Sequence, residues 1–250
     1  PDGKFKLAQL VRANRELERV CRAYRLPCVS GKDSMKNDYG TGEKKISIPP
    51  TLLFSLFGDQ PDVRFTATSD LKQAGDRLFL VGRSHDELGA SEIAFMLREN
   101  GTVEGIGGTP PQLAHPERNL TLYRALSQAI QNGLIQTAHD CSEGGVGVAV
   151  AEMCIGGRLG ATIDLDGTGD ESLWARLWGE SLGRFVVAVN PSKEAEFVQW
   201  MSGQPLTFLG EAVDNNTLTI TDGFEEIVST QVEAMVASWQ EALDMTGGVE

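Results

Sequence analysis

Apolar and polar positions run in two rhythms along this chain, and the changes of rhythm mark its elements. Between residues 5 and 25, Leu7, Leu10, Val11, Leu17, Val20, Cys21 and Tyr24 recur at helical spacing. Arg12, Arg15, Arg19, Arg22 and Arg25 fall mainly on other faces, so an amphipathic helix is predicted. A short strand follows over 27–30, then a polar loop over 31–44 and a strand over 46–57, in which Pro49-Pro50 marks an edge or bend. Residues 58–74 read as a linker and an extended segment.

From residue 77 onward strands and helices alternate. The pattern predicts strands over 77–82, 134–139, 160–165, 184–190, 205–213 and 217–221. It predicts helices over 90–99, 117–132, 145–155, 170–178, 193–202 and 229–245. Gly101, Gly133 and Gly203 stand where helices stop, Ser192 where one starts, and Asp214-Asn215-Asn216 reads as a hairpin turn. Such alternation implies an α/β (α+β) domain over 62–250, with a mixed sheet and helices 117–132 and 145–155 packed on it. Residues 1–60 offer a helix and two strands, too little for a separate core, and are expected to be an incomplete partner whose 46–57 strand exposes an edge for self-association.

Composition narrows the function. Of 250 residues 41% are hydrophobic, enough for a sizeable core. The longest apolar runs, such as Leu52–Phe57 and Phe185–Val189, are of strand length and far from the roughly 18–20 residues of a membrane span. No apolar signal segment opens the sequence, and it begins on a helix without Met, as expected of a piece of a longer cytoplasmic polypeptide. A net charge of −13 disfavours nucleic acid and anionic membranes as partners. Basic residues concentrate in 4–45, the better place for an anionic ligand. The four cysteines form no C-x-x-C pair and are expected to be reduced, buried thiols, and the three histidines lack metal-ligand spacing.

Two stretches carry candidate chemistry. The first is Pro27-Cys28-Val29-Ser30-Gly31-Lys32-Asp33-Ser34-Met35. It is not a P-loop, because Leu26 stands where the first glycine belongs and Asp33 where Ser or Thr should follow the lysine. Lys32 nevertheless suits a phosphate, and Asp33 suits orienting it or holding a metal-bound water. A solvated turn is the alternative. The second is Thr137-Ala138-His139-Asp140-Cys141-Ser142-Glu143-Gly144-Gly145. Here a strand delivers Asp140 at its carboxyl end, and a helix starts after the glycine pair. Free N–H groups at Gly144 and Gly145 would favour phosphate, and Asp140 would bind Mg²⁺ on it. A tight turn with Ser142 or Glu143 capping the helix is the alternative. In His85–Ser91 the acidic residues read as helix caps. Glu180 and Arg184 read as an internal ion pair or a ligand clamp. G-x-S-x-G and G-x-G-x-x-G are both absent.

In order, Leu7–Ala23, Pro27–Asp38, Pro49–Gly58, Gly75–Gly82, Asp86–Ser91, Thr137–Met153 and Glu180–Val189 resemble the large synthetase subunit of the phosphoribosylformylglycinamidine synthase family. Gly31-Lys32-Asp33-Ser34-Met35 is the most specific match, because it separates this family from aminoimidazole ribonucleotide synthetase, selenophosphate synthetase and thiamine-monophosphate kinase. The resemblance implies the end of the second of two tandem synthetase-like units: the tail of its N-terminal domain, then its whole C-terminal domain. It further implies a purine-biosynthetic, ATP-dependent ligase that turns formylglycinamide ribonucleotide into its amidine with ammonia from a glutaminase. Carried over, Asp140 resembles a magnesium ligand of an auxiliary ATP/ADP site and Ser142 a nucleotide contact, with Lys32 and Asp33 on the facing loop. The catalytic histidine and the other magnesium ligands of the family lie on segments this chain does not contain. A non-catalytic interaction module of the same fold, or another synthetase or kinase of the superfamily, stands as the alternative.

Overall fold

The two longest apolar strands set the architecture. In β3 (Arg77–Val81) and β6 (Phe185–Val189) nearly every side chain is buried, because these strands lie in the middle of a sheet covered on both faces. Alternation then splits each strand between two cores. Leu78, Leu80, Val186 and Ala188 point to one, and Phe79, Val81, Val187 and Val189 to the other. The computed structural model describes residues 2–32, 38–47, 49–60, 62–99 and 107–241. Its contacts divide the chain into two units: residues 1–61 with 115–120, and residues 62–114 with 121–250.

The larger unit is built on a seven-stranded sheet of order β4-β6-β3-β7-β5-β8-β9, with β4 Thr137–Asp140, β5 Gly160–Asp164, β7 Leu206–Val213, β8 Thr217–Asp222 and β9 Glu225–Gln231. Among the described strands β5 and β8 pair in parallel and the other neighbours antiparallel, so the sheet is mixed as expected. On one face α4 (Gly145–Gly157) buries Val146, Ala149, Val150, Met153 and Cys154, and α7 (Val232–Glu241) adds Val232 and Val236. On the other face Leu122, Leu126 and Ala129 of α3 (Pro116–Gln131) join Phe197 of α6 (Glu194–Trp200). Phe79 is the hinge pin of that second core, its ring 5.5 Å from Phe197 and 5.4 Å from Phe208. Two further helices, α2 (Glu92–Glu99) and α5 (Leu173–Trp178), follow loops at one end of the sheet.

The expected hairpin between 205–213 and 217–221 does not form. β7 and β8 lie on opposite sides of β5, so Asp214-Asn215-Asn216 carries the chain across β5 rather than back along β7. The hairpin of this region is β8–β9, turned at Gly223-Phe224, and β9 occupies the start of the expected 229–245 helix. The last helix begins only at Val232, and residues beyond 241 lie outside the described set.

In the smaller unit α1 (Asp2–Tyr24) is the predicted amphipathic helix. No strand forms over 27–30. The long strand expected over 46–57 reduces to β2 (Ile46–Ser47), paired with β1 (Asp38–Tyr39). Residues 51–60 have no regular structure, and Leu53, Leu56 and Phe57 are more than four-fifths exposed. None of the described residues between 2 and 60 is buried, which leaves their apolar side chains without the neighbours that hold an extended segment in a ladder.

Candidate functional site

One end of the sheet gathers the candidate residues of the larger unit. Asp140, the last residue of β4, pairs with Phe185 at the start of β6, which pairs with Val81 at the end of β3. The loops that continue from these positions, 82–91, 141–144 and 179–184, therefore converge. Hydrogen bonds tie them together. Ser181 Oγ accepts from the His85 N–H at 3.0 Å, and the Cys141 N–H donates to the Arg184 carbonyl at 2.9 Å. Ser172, the N-cap of α5, donates to Asp86 at 3.1 Å.

Arg184 holds this knot from within. It is 1% exposed and donates to Ser84 Oγ at 2.8 Å, to the Ser181 carbonyl at 3.3 Å and to the Gly179 carbonyl. Among the described residues it has no ion-pair partner, so the expected internal ion pair does not form. Burial pushes its guanidinium below the ordinary arginine range. Its bonds to Ser181 and Gly179 close the turn 179–184, and its bond to Ser84 ties that turn to the loop after β3.

Glu180 plays a part that the sequence pattern did not assign. One carboxylate oxygen accepts the Gly144 N–H at 3.0 Å and the Glu92 N–H at 2.9 Å. It thus places negative charge at the starts of both α4 and α2, where helix dipoles favour it. The Gly145 N–H donates to the Ser142 carbonyl at 3.0 Å. Both N–H groups read as phosphate donors from the sequence are therefore engaged within the chain. The glycine pair has a local cause as well. Gly144 and Gly145 adopt φ of 76° and 64°, and a Cβ on Gly145 would stand 2.3 Å from the Gly179 carbonyl oxygen. Only glycine lets the first turn of α4 pass this close to the end of α5.

Asp140 is the open group of the site. Its side chain is 62% exposed, and Ser142 Oγ donates to Oδ2. His139 Nδ1 donates to the Asp140 carbonyl at 2.8 Å while Nε2 faces Glu152 at 2.9 Å, which fixes the strand end. A single accessible carboxylate beside a hydroxyl suits Mg²⁺ that takes its other oxygens from phosphate, water and further ligands. Among the described residues no group of three His, Cys, Asp or Glu could hold a metal ion. Cys141, next to Asp140, is buried, and desolvation pushes its thiol up to about 11. Cys154 is likewise buried and pushed up to about 12 by desolvation, so both thiols are inert.

Lys32 belongs to the smaller unit, where it is exposed, and Asp33 lies outside the described residues. A cleft of about 240 Å³ opens at the opposite end of the sheet, between Asp76, Thr137 and Asn190. Its lysines are engaged, Lys72 with Asp70 and Lys193 with the Gly133 carbonyl, so it offers no ready anion site. Among the described residues no helix is long and apolar enough to cross a membrane.

Comparison with known proteins agrees with this architecture. The sequence is 35% identical over 254 residues to phosphoribosylformylglycinamidine synthase subunit PurL of Deinococcus radiodurans, covering 97% of this chain and 32% of that protein. The chain thus spans about a third of the length of this curated relative. Among solved structures, T. maritima PurL complexed with FGAR superposes with a TM-score of 0.60 at 20% identity, over 70% of this chain and 30% of that one. T. maritima PurL complexed with ATP gives 0.54 at 18% identity, over 70% and 28%. At these identities the likeness is one of fold. The family described as AIR synthase related protein, C-terminal domain, matches residues 73–223, more than half of the sequence, and the chain belongs to it.

Proposed function

We propose that this chain is the C-terminal part of a phosphoribosylformylglycinamidine synthase, an ATP-dependent ligase of purine biosynthesis. The observation that carries the reading is the 35% identity to the Deinococcus subunit over 97% of the chain, which takes in both units. In the whole protein, ATP would phosphorylate the formyl amide oxygen of formylglycinamide ribonucleotide, and ammonia from a glutaminase partner would displace the phosphate. This region supplies scaffold and half of an auxiliary magnesium-nucleotide site, in a cytoplasmic enzyme.

Within that site Asp140 holds the metal through its exposed carboxylate, and Ser142 orients that carboxylate and contacts nucleotide. Magnesium, when bound, neutralises charge on the phosphate oxygens. Lys32 and Asp33 are the nucleotide contacts of the loop after Cys28. Gly144 and Gly145 shape the turn, and a phosphate reaches the Gly144 N–H only by displacing Glu180. That engaged N–H favours a second reading, in which the auxiliary site is vestigial and the domain acts as scaffold alone. The exposed apolar side chains of 52–57 support self-association of this chain through residues 1–60, to be checked by sedimentation.

Calorimetric titration of the full-length enzyme with ADP, with and without Mg²⁺, separates the two readings. Asp140→Asn is expected to remove the magnesium-dependent part of binding, and Lys32→Ala to weaken ADP with or without metal. Each loss is about 1–3 kcal/mol, the range of a charge-assisted contact. Unchanged binding in Asp140→Asn would leave only the scaffold reading.

A further inference from the structure

The end of α1 is built so that two cysteines meet. Arg25 takes a left-handed conformation, φ 56°, just past the helix. The Leu26 N–H then returns to the Cys21 carbonyl at 3.0 Å, and the Arg25 N–H to the Arg22 carbonyl at 3.4 Å. These two bonds make a Schellman cap, which reverses the chain and lays the next residues back along the last turn. The outcome is a contact of 3.7 Å between Cys21 Sγ and Cys28 Sγ. Neither thiol is buried, contrary to the expectation for all four cysteines: Cys28 is exposed and Cys21 half-buried. The segment that Cys28 begins leads directly into Gly31-Lys32.

We infer that Cys21 and Cys28 form a reversible dithiol–disulfide pair that reacts with low-molecular-weight disulfides and tethers the segment leading to Lys32 onto α1. The geometry needs only a small closure, from 3.7 Å to the roughly 2.05 Å of a disulfide. Cys28, the exposed thiol, is the attacking group. As thiolate it displaces one thiol from a disulfide such as oxidised glutathione, forming a mixed disulfide, and the leaving thiolate takes up the released proton. Cys21, deprotonated in turn, attacks the Cys28 sulfur and expels the second thiol. The two protein thiols lose two electrons and two protons, and the small disulfide becomes two thiols, so the exchange balances. Desolvation and the neighbouring Cys28 push the Cys21 thiol above its ordinary value, which suits the resolving rather than the attacking position.

The test uses the full chain, equilibrated in oxidised and reduced glutathione buffers and then alkylated for mass spectrometry. We expect loss of two alkylatable thiols, a Cys21–Cys28 cross-linked peptide, and full recovery of both thiols in reducing buffer. In Cys21→Ser, Cys28 should stop at the mixed disulfide. Amide hydrogen exchange over 26–32 should slow at least about fivefold in the oxidised chain, as a tethered segment opens less often. A wild-type chain that stops at the glutathione adduct, a cross-link seen only in denaturant, or exchange that is the same in both redox states would overturn the inference. Neither readout involves nucleotide, so the pair is tested independently of the magnesium site.

Discussion

Glu180 offers the most direct test of how the candidate site is held. Its half-buried carboxylate accepts two backbone N–H groups, from Gly144 at 3.0 Å and Glu92 at 2.9 Å, at the starts of two helices. A charge-assisted bond contributes about 1.5–3 kcal/mol, and partial exposure argues for the lower figure at each. Truncation in Glu180→Ala removes both bonds and the favourable charge at two helix starts. The expected loss is about 3 kcal/mol, or roughly 6–12 °C in Tm for a unit of this size. Glu180→Gln keeps an oxygen acceptor and removes only the charge, so about 1 kcal/mol should be lost. Urea denaturation followed by circular dichroism reads both values. Equal losses in the two variants would mean that the two hydrogen bonds contribute nothing beyond charge. A loss below about 1 kcal/mol in Glu180→Ala would refute the bridging role altogether.

Two further outcomes follow from the same geometry. Gly145→Ala places a methyl group 2.3 Å from a backbone oxygen at a φ of 64°, and thermal unfolding should show a loss of at least about 2 kcal/mol. Arg176 donates two bonds to Asp222, at 2.8 and 2.6 Å, and these hold the Asp222 carboxyl below its ordinary value. Because the folded value lies below the unfolded one of about 3.9, the stability is present above that pH and lost as pH falls through the folded value. Asp222→Asn should therefore be less stable at neutral pH and show a flatter acid limb below pH ~4 in an unfolding series.

Much of this arrangement was legible in the residues. The apolar runs of β3 and β6, the helical spacing of α3 and the glycines before α4 all signal local structure, and the strand end at Asp140 follows from them. What was hidden depends on contacts distant in sequence. The separation of β7 from β8 by β5 leaves no local trace, because Asp214-Asn215-Asn216 makes as good a crossing as a hairpin turn. Glu180 looks like a partner for Arg184 until the fold sends the carboxylate to two helix starts and the guanidinium to three neutral oxygens. The segment 46–57 has strand-like composition, yet in the described structure it has no sheet to join beyond Ile46–Ser47, and propensity without a partner does not make a strand.

The position of β5 has a consequence for how the chain comes together during synthesis. β5 emerges first, β7 later closes one of its edges, and its parallel partner β8 arrives last of the three. Between the appearance of residue 213 and that of residue 222, a growing chain carries Ala161–Asp164 with one row of backbone groups open to any passing strand. A nascent chain stalled in that interval would present the same open seam for as long as the pause lasts, so translation speed across residues 214–222 governs how long this second edge of β5 stays open to a wrong neighbour.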